Sequence, residues 1–443
     1  MTEVLVLDLI YGWCSACSNF FDKPFADILP FVGGHVAEHI FLLCGHQQAN
    51  GGRSAFPHTV LKETKNVHIL DFGTITKCLY HFKQILDELN LSSVRVVTSC
   101  QGREVLLLYQ QELFTPVYSF EYVVKCEDHP ICQSCCPAPT VPAVNSARDV
   151  TQETSAFFQQ LPALRGDVNI LKSSFIPDCF GHGFSTRTGG VSCIPTLSSL
   201  NLFSSCKRRD PAAAVAENTR RLALKAGFYP QPLYLVRVNH ARDVWVMGTA
   251  EPPESYDAIV TNQTGVVIAA PGADCMPLLF AEPVTKVIGA AHAGWKGTLM
   301  GVAMATVGAM VREFGCKVSD IVVAIGPSVG ACCFTLEREQ ALEFHCIHPE
   351  CVPDPHSSRP HVNIRLATRI LLQRGGIQPG HIHDDTVIGS SCVTPCTSCH
   401  PEYFFSHVRD GLHFGTQVGF LWIKENGRTG KKFQQAKKCE MYG

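Results

Sequence analysis

The densest apolar patterning lies over residues 265–297, GVVIAAPGADCMPLLFAEPVTKVIGAAHAGWKG. Its nearly continuous apolar runs predict two short strands buried on both faces. Each leads to a residue with a soft or borderline metal-binding atom, Cys275 after the first and His292 after the second. From the start of the chain to about residue 130, strand-like and helix-like segments alternate. VLVLDLI, EHIFLLCG and SSVRVVTSC read as strands, and TITKCLYHFKQILDELN and EVLLLYQQELF as helices. That rhythm predicts a small α/β domain over 1–136.

The stretch PAPTVPAV, with three prolines among small residues, predicts an extended linker, and a connecting helix follows over 146–161 with Phe157, Phe158 and Leu161 on one face. Linker and helix together occupy 137–168. A second, larger α/β domain is expected over 169–425, and a basic tail over 426–443. That domain opens with NILKSSFIPD; LYLVRVNH and DVWVMG read as strands, DIVVAIGPSVGACCF as a strand running into a glycine-bearing loop, and 211–227 and 298–314 as helices. HVNIRLATRILLQRGG reads as a further strand and helix.

Composition narrows the function. With 443 residues and 46% hydrophobic side chains the chain can build more than one core, and a formal net charge of -2 gives no reason to expect nucleic acid or an anionic membrane as partner. No stretch approaches the roughly 20 uninterrupted apolar residues of a membrane span. A small neutral or anionic ligand fits better. The 22 cysteines stand in a chain whose first residues, MTEVLVLDLI, do not resemble a secretion signal, so mostly free thiols in a reducing interior are expected.

Most cysteine patterns then lose their obvious meaning. Cys14 and Cys17 form one C-x-x-C and Cys132 and Cys135 another, crowded by Cys136, but the two lie too far apart for an ordinary zinc ribbon. Adjacent Cys332 and Cys333 are expected to pack. CTSCH at 396–400 matches the haem-attachment pattern without the export signal that goes with it. His381 and His383 are the only H-x-H pair, too few for a multicopper cluster.

His240, Cys275 and His292 each stand where a strand gives way to a loop. Brought together, two imidazoles and a thiolate make a three-ligand zinc site with one open position, of the kind that brings bound water toward neutral pKa for hydrolytic attack on an electron-poor carbon such as C6 of a purine. Held apart, they are ordinary packing or hydrogen-bonding residues. Asp274, beside Cys275, could orient a ligand, hold a proton or cap a turn. Arg187, in Thr-Arg-Thr-Gly-Gly, is either a fork for an oxyanion or a surface residue on a strand turn. Lys296 and Trp295 stand at a helix start, where free N–H groups favour phosphate, although the P-loop spacing is absent. GPSVG is a ligand-hugging loop or a tight turn.

In order along the chain, HGFSTRTGGVS, GADCMPLLFAEP, HAGWKGT, GPSVGACCF and FFSHVRDG resemble the motifs of the YfiH family, once labelled multicopper polyphenol oxidase or laccase-like. The resemblance covers about 169–424. It implies an α/β fold with zinc held by His240, Cys275 and His292. It also implies deamination of adenosine to inosine, and phosphorolysis of adenosine, inosine, guanosine and S-methyl-5'-thioadenosine to the base and a (methylthio)ribose 1-phosphate, with inorganic phosphate as co-substrate. Cys275, His240, His292 and Asp274 would then be the catalytic set, with Arg187, Lys296 and Trp295 binding substrate. For family members with an N-terminal extension like this one, the resemblance implies cytosolic and peroxisome-associated work in macrophage purine metabolism and inflammation.

Some positions depart from the pattern. Lys296 stands where many relatives have Arg, GLHFGTQ replaces a usual Gly-Arg pair, and the final MYG is no peroxisomal signal. Two other readings stand beside the enzyme: a copper polyphenol oxidase, for which the single H-x-H pair is a poor fit, and a scaffold in immunometabolism that recruits protein partners through the N-terminal domain.

Overall fold

The computed structural model describes residues 4–8, 10–11, 37–43, 66–70, 73–124, 146–249, 251–384 and 395–425. The C-x-x-C pairs at Cys14 and Cys132, the proline-rich linker and the basic tail lie outside them. By contacts the chain divides into two compact units, Met1–Pro162 with Ser204–Glu217, and Ala163–Phe203 with Asn218–Gly443.

In the first unit the elements run β1 (Val4–Asp8), β2 (His39–Leu43), β3 (Val67–Leu70), α1 (Ile75–Glu88), β4 (Ser93–Thr98), α2 (Cys100–Leu113), β5 (Ser119–Val124) and α3 (Ala147–Gln160). The five strands form one parallel sheet in the order β3-β2-β1-β4-β5. Strands β3 and β5 escaped the hydrophobic pattern because they are the edges: VHIL and SFEYVV carry exposed positions and never build a continuous apolar run. Thr74 caps α1 and Ser99 caps α2, each hydroxyl accepting a backbone N–H three residues on. The helix read as a connector is packed: Phe157 and Phe158 of α3 stand edge-on to Tyr80, and Glu153 accepts from Thr76 and Tyr109.

In the second unit the chain continues through β6 (Ile170–Leu171), β7 (Phe180–Ser185), the part of α4 (Ala212–Ala226) from Asn218 onward, β8 (Leu233–Leu235), β9 (Val244–Val246), β10 (Ala258–Thr261), β11 (Val267–Gly272), β12 (Met276–Glu282) and β13 (Val287–Ala293). Then come α5 (Trp295–Met300), α6 (Val302–Phe314), β14 (Val322–Ile325), α7 (Arg338–Ile347), α8 (Ile364–Arg374), β15 (Ile382–His383), α9 (His407–Asp410) and β16 (Gln417–Ile423). One sheet has the order β6-β7-β16-β11-β8, the other β15-β14-β12-β13-β10-β9. Most of their pairings are antiparallel.

The two sheets share a core, in which Ile268, Ala270 and Leu421 of one meet Leu279, Ala281, Ile288 and Ala290 of the other. The alternate residues point outward and are buried as well. Val267, Ala269, Phe420 and Trp422 pack with Leu222 and Ala223 of α4, while Leu278, Phe280 and Ala291 pack with α6, α7 and α8. Burial on both faces is why residues 265–297 read as unbroken apolar runs rather than as alternation.

That stretch holds three strands, not two. Strand β11 lies in one sheet and β12 in the other, and the chain crosses between them in a turn that contains Cys275. Gly272 permits the crossing, since a Cβ there would lie 2.8 Å from the Cys275 carbonyl oxygen. His292 lies within β13, opposite Pro277, rather than after a strand end. The helix expected over 298–314 is broken in two by Gly301, whose φ of 82° belongs to the left-handed region. HVN makes a single bridge to Thr335 instead of a strand, and Asn363 there caps α8. No helix among the described residues is long and apolar enough to cross a membrane.

Candidate metal centre and its surroundings

The fold brings His240, Cys275 and His292 together, with one ligand atom from each and all of these within 4.8 Å of one another. Their supports differ. His292 is held in the middle of the six-stranded sheet, and Cys275 stands in the turn between the sheets. His240 lies on the loop from β8 to β9, also a crossing between sheets, and its φ of 62° is unusual for a residue with a Cβ. The two imidazole rings stand nearly perpendicular, with centroids 5.0 Å apart.

One carboxylate organises the set. Asp257, fully buried just before β10, lies with its Oδ1 2.9 Å from His292 Nδ1. It also accepts the backbone N–H groups of Asn239, His240 and Ala241, at 3.3, 3.2 and 2.8 Å. Asp257 therefore fixes the His292 ring and the His240 loop together, leaving the other ring nitrogen of His292 for the thiol. The sequence offered no sign of this role. In SYDAIV the residue is a single acid before a short apolar strand, and only the fold brings it beneath the two histidines.

Burial alone would push the Cys275 thiol up, but the His292 charge and hydrogen bonds from His240 and His292 bring it down to about 6. Burial would likewise lower His292, yet the Cys275 thiolate and Asp257 raise it to about 9. Near neutrality the site thus favours a thiolate beside an imidazolium, a ready ligand and a proton that a cation can displace. The donor set of two nitrogens and one sulfur suits zinc with an open coordination position. Space for it depends on Gly294, where a Cβ would lie 3.0 Å from Cys275 Sγ and 3.5 Å from His240 Cδ2.

The other expected residues have different company. Asp274 accepts at Oδ1 from the hydroxyls of Thr397 and Ser406, both at 2.7 Å, and at Oδ2 from the Val408 N–H at 2.6 Å. It ties the segment 397–408 to the turn that carries Cys275. Arg187 is buried, with Nε and its two terminal nitrogens donating to the carbonyls of Ser198, Pro401 and Pro195 at 2.8 to 2.9 Å. Its guanidinium stacks on Phe405 and borders a cavity of about 470 Å³ shared with Arg165 and Arg409. Burial, and then those two arginines, lower it to about 10. Lys296 is exposed, its Nζ 5.3 Å from the Trp295 ring centre, on a helix of only six residues that brings little dipole.

His383 is buried, bonded through Nδ1 to the Ser173 hydroxyl and stacked on Phe175, and neither it nor His381 joins a donor cluster among the described residues. Cys332 and Cys333 do not simply pack. Their sulfurs meet those of Cys396 and Cys399 from CTSCH, all four within 4.8 Å.

Comparison with known proteins agrees with the fold. The family model described as multi-copper polyphenol oxidoreductase laccase matches residues 181–424. "Purine nucleoside phosphorylase LACC1" of Mus musculus is 54% identical over 352 residues, covering 78% of this chain and 80% of that protein. "Adenosine deaminase RL5" from an unknown prokaryotic organism is 29% identical over 257 residues, 55% of this chain and 94% of that one. Among solved structures, the Bacillus licheniformis hypothetical protein YfiH superposes with a TM-score of 0.50 at 27% identity, over 55% of this chain and 93% of that protein.

Proposed function

Because this chain belongs to the YfiH family, whose sequence model is described as multi-copper polyphenol oxidoreductase laccase, we propose that it is a zinc-dependent enzyme of purine nucleosides. It phosphorolyses adenosine, inosine, guanosine and S-methyl-5'-thioadenosine to the base and a (methylthio)ribose 1-phosphate, and it deaminates adenosine to inosine. The names of relatives as phosphorylases and as an adenosine deaminase support both halves. The single observation that carries the chemistry is the His240, Cys275, His292 set with Asp257 behind it.

In this reading the catalytic domain is 169–425, and His240, Cys275 and His292 hold the ion. Bound there, zinc supplies Lewis acidity at a position open to substrate. Asp257 keeps His292 in one tautomer and holds the His240 loop against it. Asp274 acts at one remove, by holding the 397–408 segment beside the Cys275 turn. Trp295 offers an aromatic face to a purine, and Lys296, exposed on the next residue, offers its charge to inorganic phosphate. A multicopper oxidase needs several ions close together, and the second donor cluster among the described residues consists of thiols alone.

The test uses the full chain loaded with zinc, assayed with inosine plus phosphate and with adenosine. Wild type should convert both, and Cys275→Ala should lose the ion and both conversions. Zinc-loaded wild type that leaves adenosine and inosine unchanged in phosphate would overturn the proposal.

A further inference from the structure

Four thiols from two distant stretches of chain meet away from the histidine-bearing site. Cys332 and Cys333 follow the Gly330 turn of GPSVGACCF, and Cys396 and Cys399 form a C-x-x-C. The Sγ of Cys399 lies 3.5 Å from that of Cys332 and 3.4 Å from that of Cys333, and all four sulfurs are within 4.8 Å of one another. Cys399 is thus almost equidistant from two neighbours. A single disulfide would draw one partner in and leave the other aside, whereas ligands of one ion share the centre. In a tetrahedral tetrathiolate with metal–sulfur bonds of about 2.3 Å the sulfurs stand about 3.8 Å apart, close to what is found.

The main chain is arranged for charged sulfur. The Gly330 N–H donates to Cys396 Sγ at 3.2 Å, and the Cys399 N–H reaches the same sulfur. Gly330 keeps this approach open, since a Cβ there would lie 3.2 Å from both Cys332 Sγ and Cys396 Cβ and would press on the cluster. A buried cation backs the cluster: Arg365 donates to the Ser328 hydroxyl at 2.7 Å and to the Pro395 carbonyl at 3.1 Å, and so touches both cysteine-bearing segments. Cys332 and Cys399 are exposed, which gives an ion a way in.

The geometry points to a second metal site, in which Cys332, Cys333, Cys396 and Cys399 bind one zinc ion as four thiolates. Binding releases the remaining thiol protons to solvent and leaves the centre with two negative charges, with no change of oxidation state. With no open position, this is a structural ion. Its place suggests what it steadies. Thr397, between the two cysteines of the C-x-x-C, donates to the Asp274 carboxylate, and the Val329 N–H donates to the Asp274 carbonyl. The ion would cross-link the two segments that Asp274 grips, one residue from Cys275.

The proposal is tested by metal content and by cobalt spectroscopy on the full chain, in a Cys275→Ala background that removes the other site. The zinc-loaded wild type should hold about two ions per chain and Cys275→Ala about one. Cobalt(II) bound to Cys275→Ala should give the intense thiolate charge-transfer bands and visible bands of a tetrahedral tetrathiolate. Adding Cys399→Ser should abolish that spectrum. If Cys399→Ser does not fold, the spectrum of Cys275→Ala decides alone. Cys275→Ala that binds no cobalt, or binds it without sulfur charge transfer, would overturn the second site, as would a Cys399 disulfide in protein purified anaerobically with zinc. Zinc-loaded wild type that leaves adenosine and inosine unchanged, while Cys275→Ala still gives the tetrathiolate spectrum, would count against the proposed function and leave this site standing.

Discussion

His292 Nδ1 lies 2.9 Å from Asp257 Oδ1, and the same carboxylate takes the backbone N–H groups of three consecutive residues that include His240. Two of the three donors are therefore positioned by a side chain that is not itself a donor. Asp257→Asn keeps the shape but removes the charge and turns one acceptor into a donor. Zinc affinity should fall about 10- to 100-fold, the usual effect of losing an orienting partner, as read by competition with a chelator. An unchanged affinity would remove Asp257 from the account of the site.

Gly294 is a steric probe of the same centre. Its φ of -76° suits any residue, so Ala is tolerated by the backbone, but the new Cβ would press on Cys275 Sγ. Gly294→Ala should cost no more than about 1–3 kcal/mol of stability while losing most bound zinc and turnover. Full activity in the folded variant would show that the donors have room to spare on that side.

Arg187 separates holding from binding. Lys cannot reproduce three donations in three directions, so Arg187→Lys should lose about 3 kcal/mol in denaturant unfolding, with KM for phosphate unchanged in the protein that remains folded. A raised KM for phosphate at wild-type stability would instead make Arg187 the substrate-binding oxyanion fork that the family resemblance implies.

Stability should also depend on pH through His182, on β7. Burial lowers this imidazole from 6.5 to about 4, against a smaller opposing effect of its bond with Ser173. As the pH falls, the unfolded chain takes up the proton first, so the folded state loses stability between about 6.5 and 4, by at most about 3 kcal/mol. Unfolding midpoints measured across this window should drop less in His182→Gln than in wild type. Parallel pH curves for the two would assign the acid sensitivity elsewhere.

The three donors were legible because each is a chemically distinctive residue that interrupts an apolar run, although His292 does so inside a strand rather than at its end. What supports them was not. Asp257 acts through contacts with residues 16 to 35 positions away, and nothing in SYDAIV marks it. The third strand of the central stretch was hidden because the turn at Cys275 is so tight that two strands of different sheets read as one run. The thiol cluster was missed for a related reason. Adjacent cysteines chelate poorly by themselves, and only the fold brings a second pair from some sixty residues away to complete them. Both sheets were expected as part of an α/β rhythm, but their largely antiparallel pairing depends on long-range partners that local periodicity does not encode.

Strand β16 lies in the middle of its sheet, with β7 on one side and β11 on the other, although every other strand precedes it in the chain. A protein growing from its N-terminus therefore carries two unjoined halves, β6 with β7 and β8 with β11, each exposing an apolar edge, until residues 417–423 arrive. That order makes premature stop codons unforgiving. A chain cut short before Gln417 retains His240, Cys275 and His292 yet lacks the strand that closes the layer behind them, and its open edges make it prey for proteases and for aggregation.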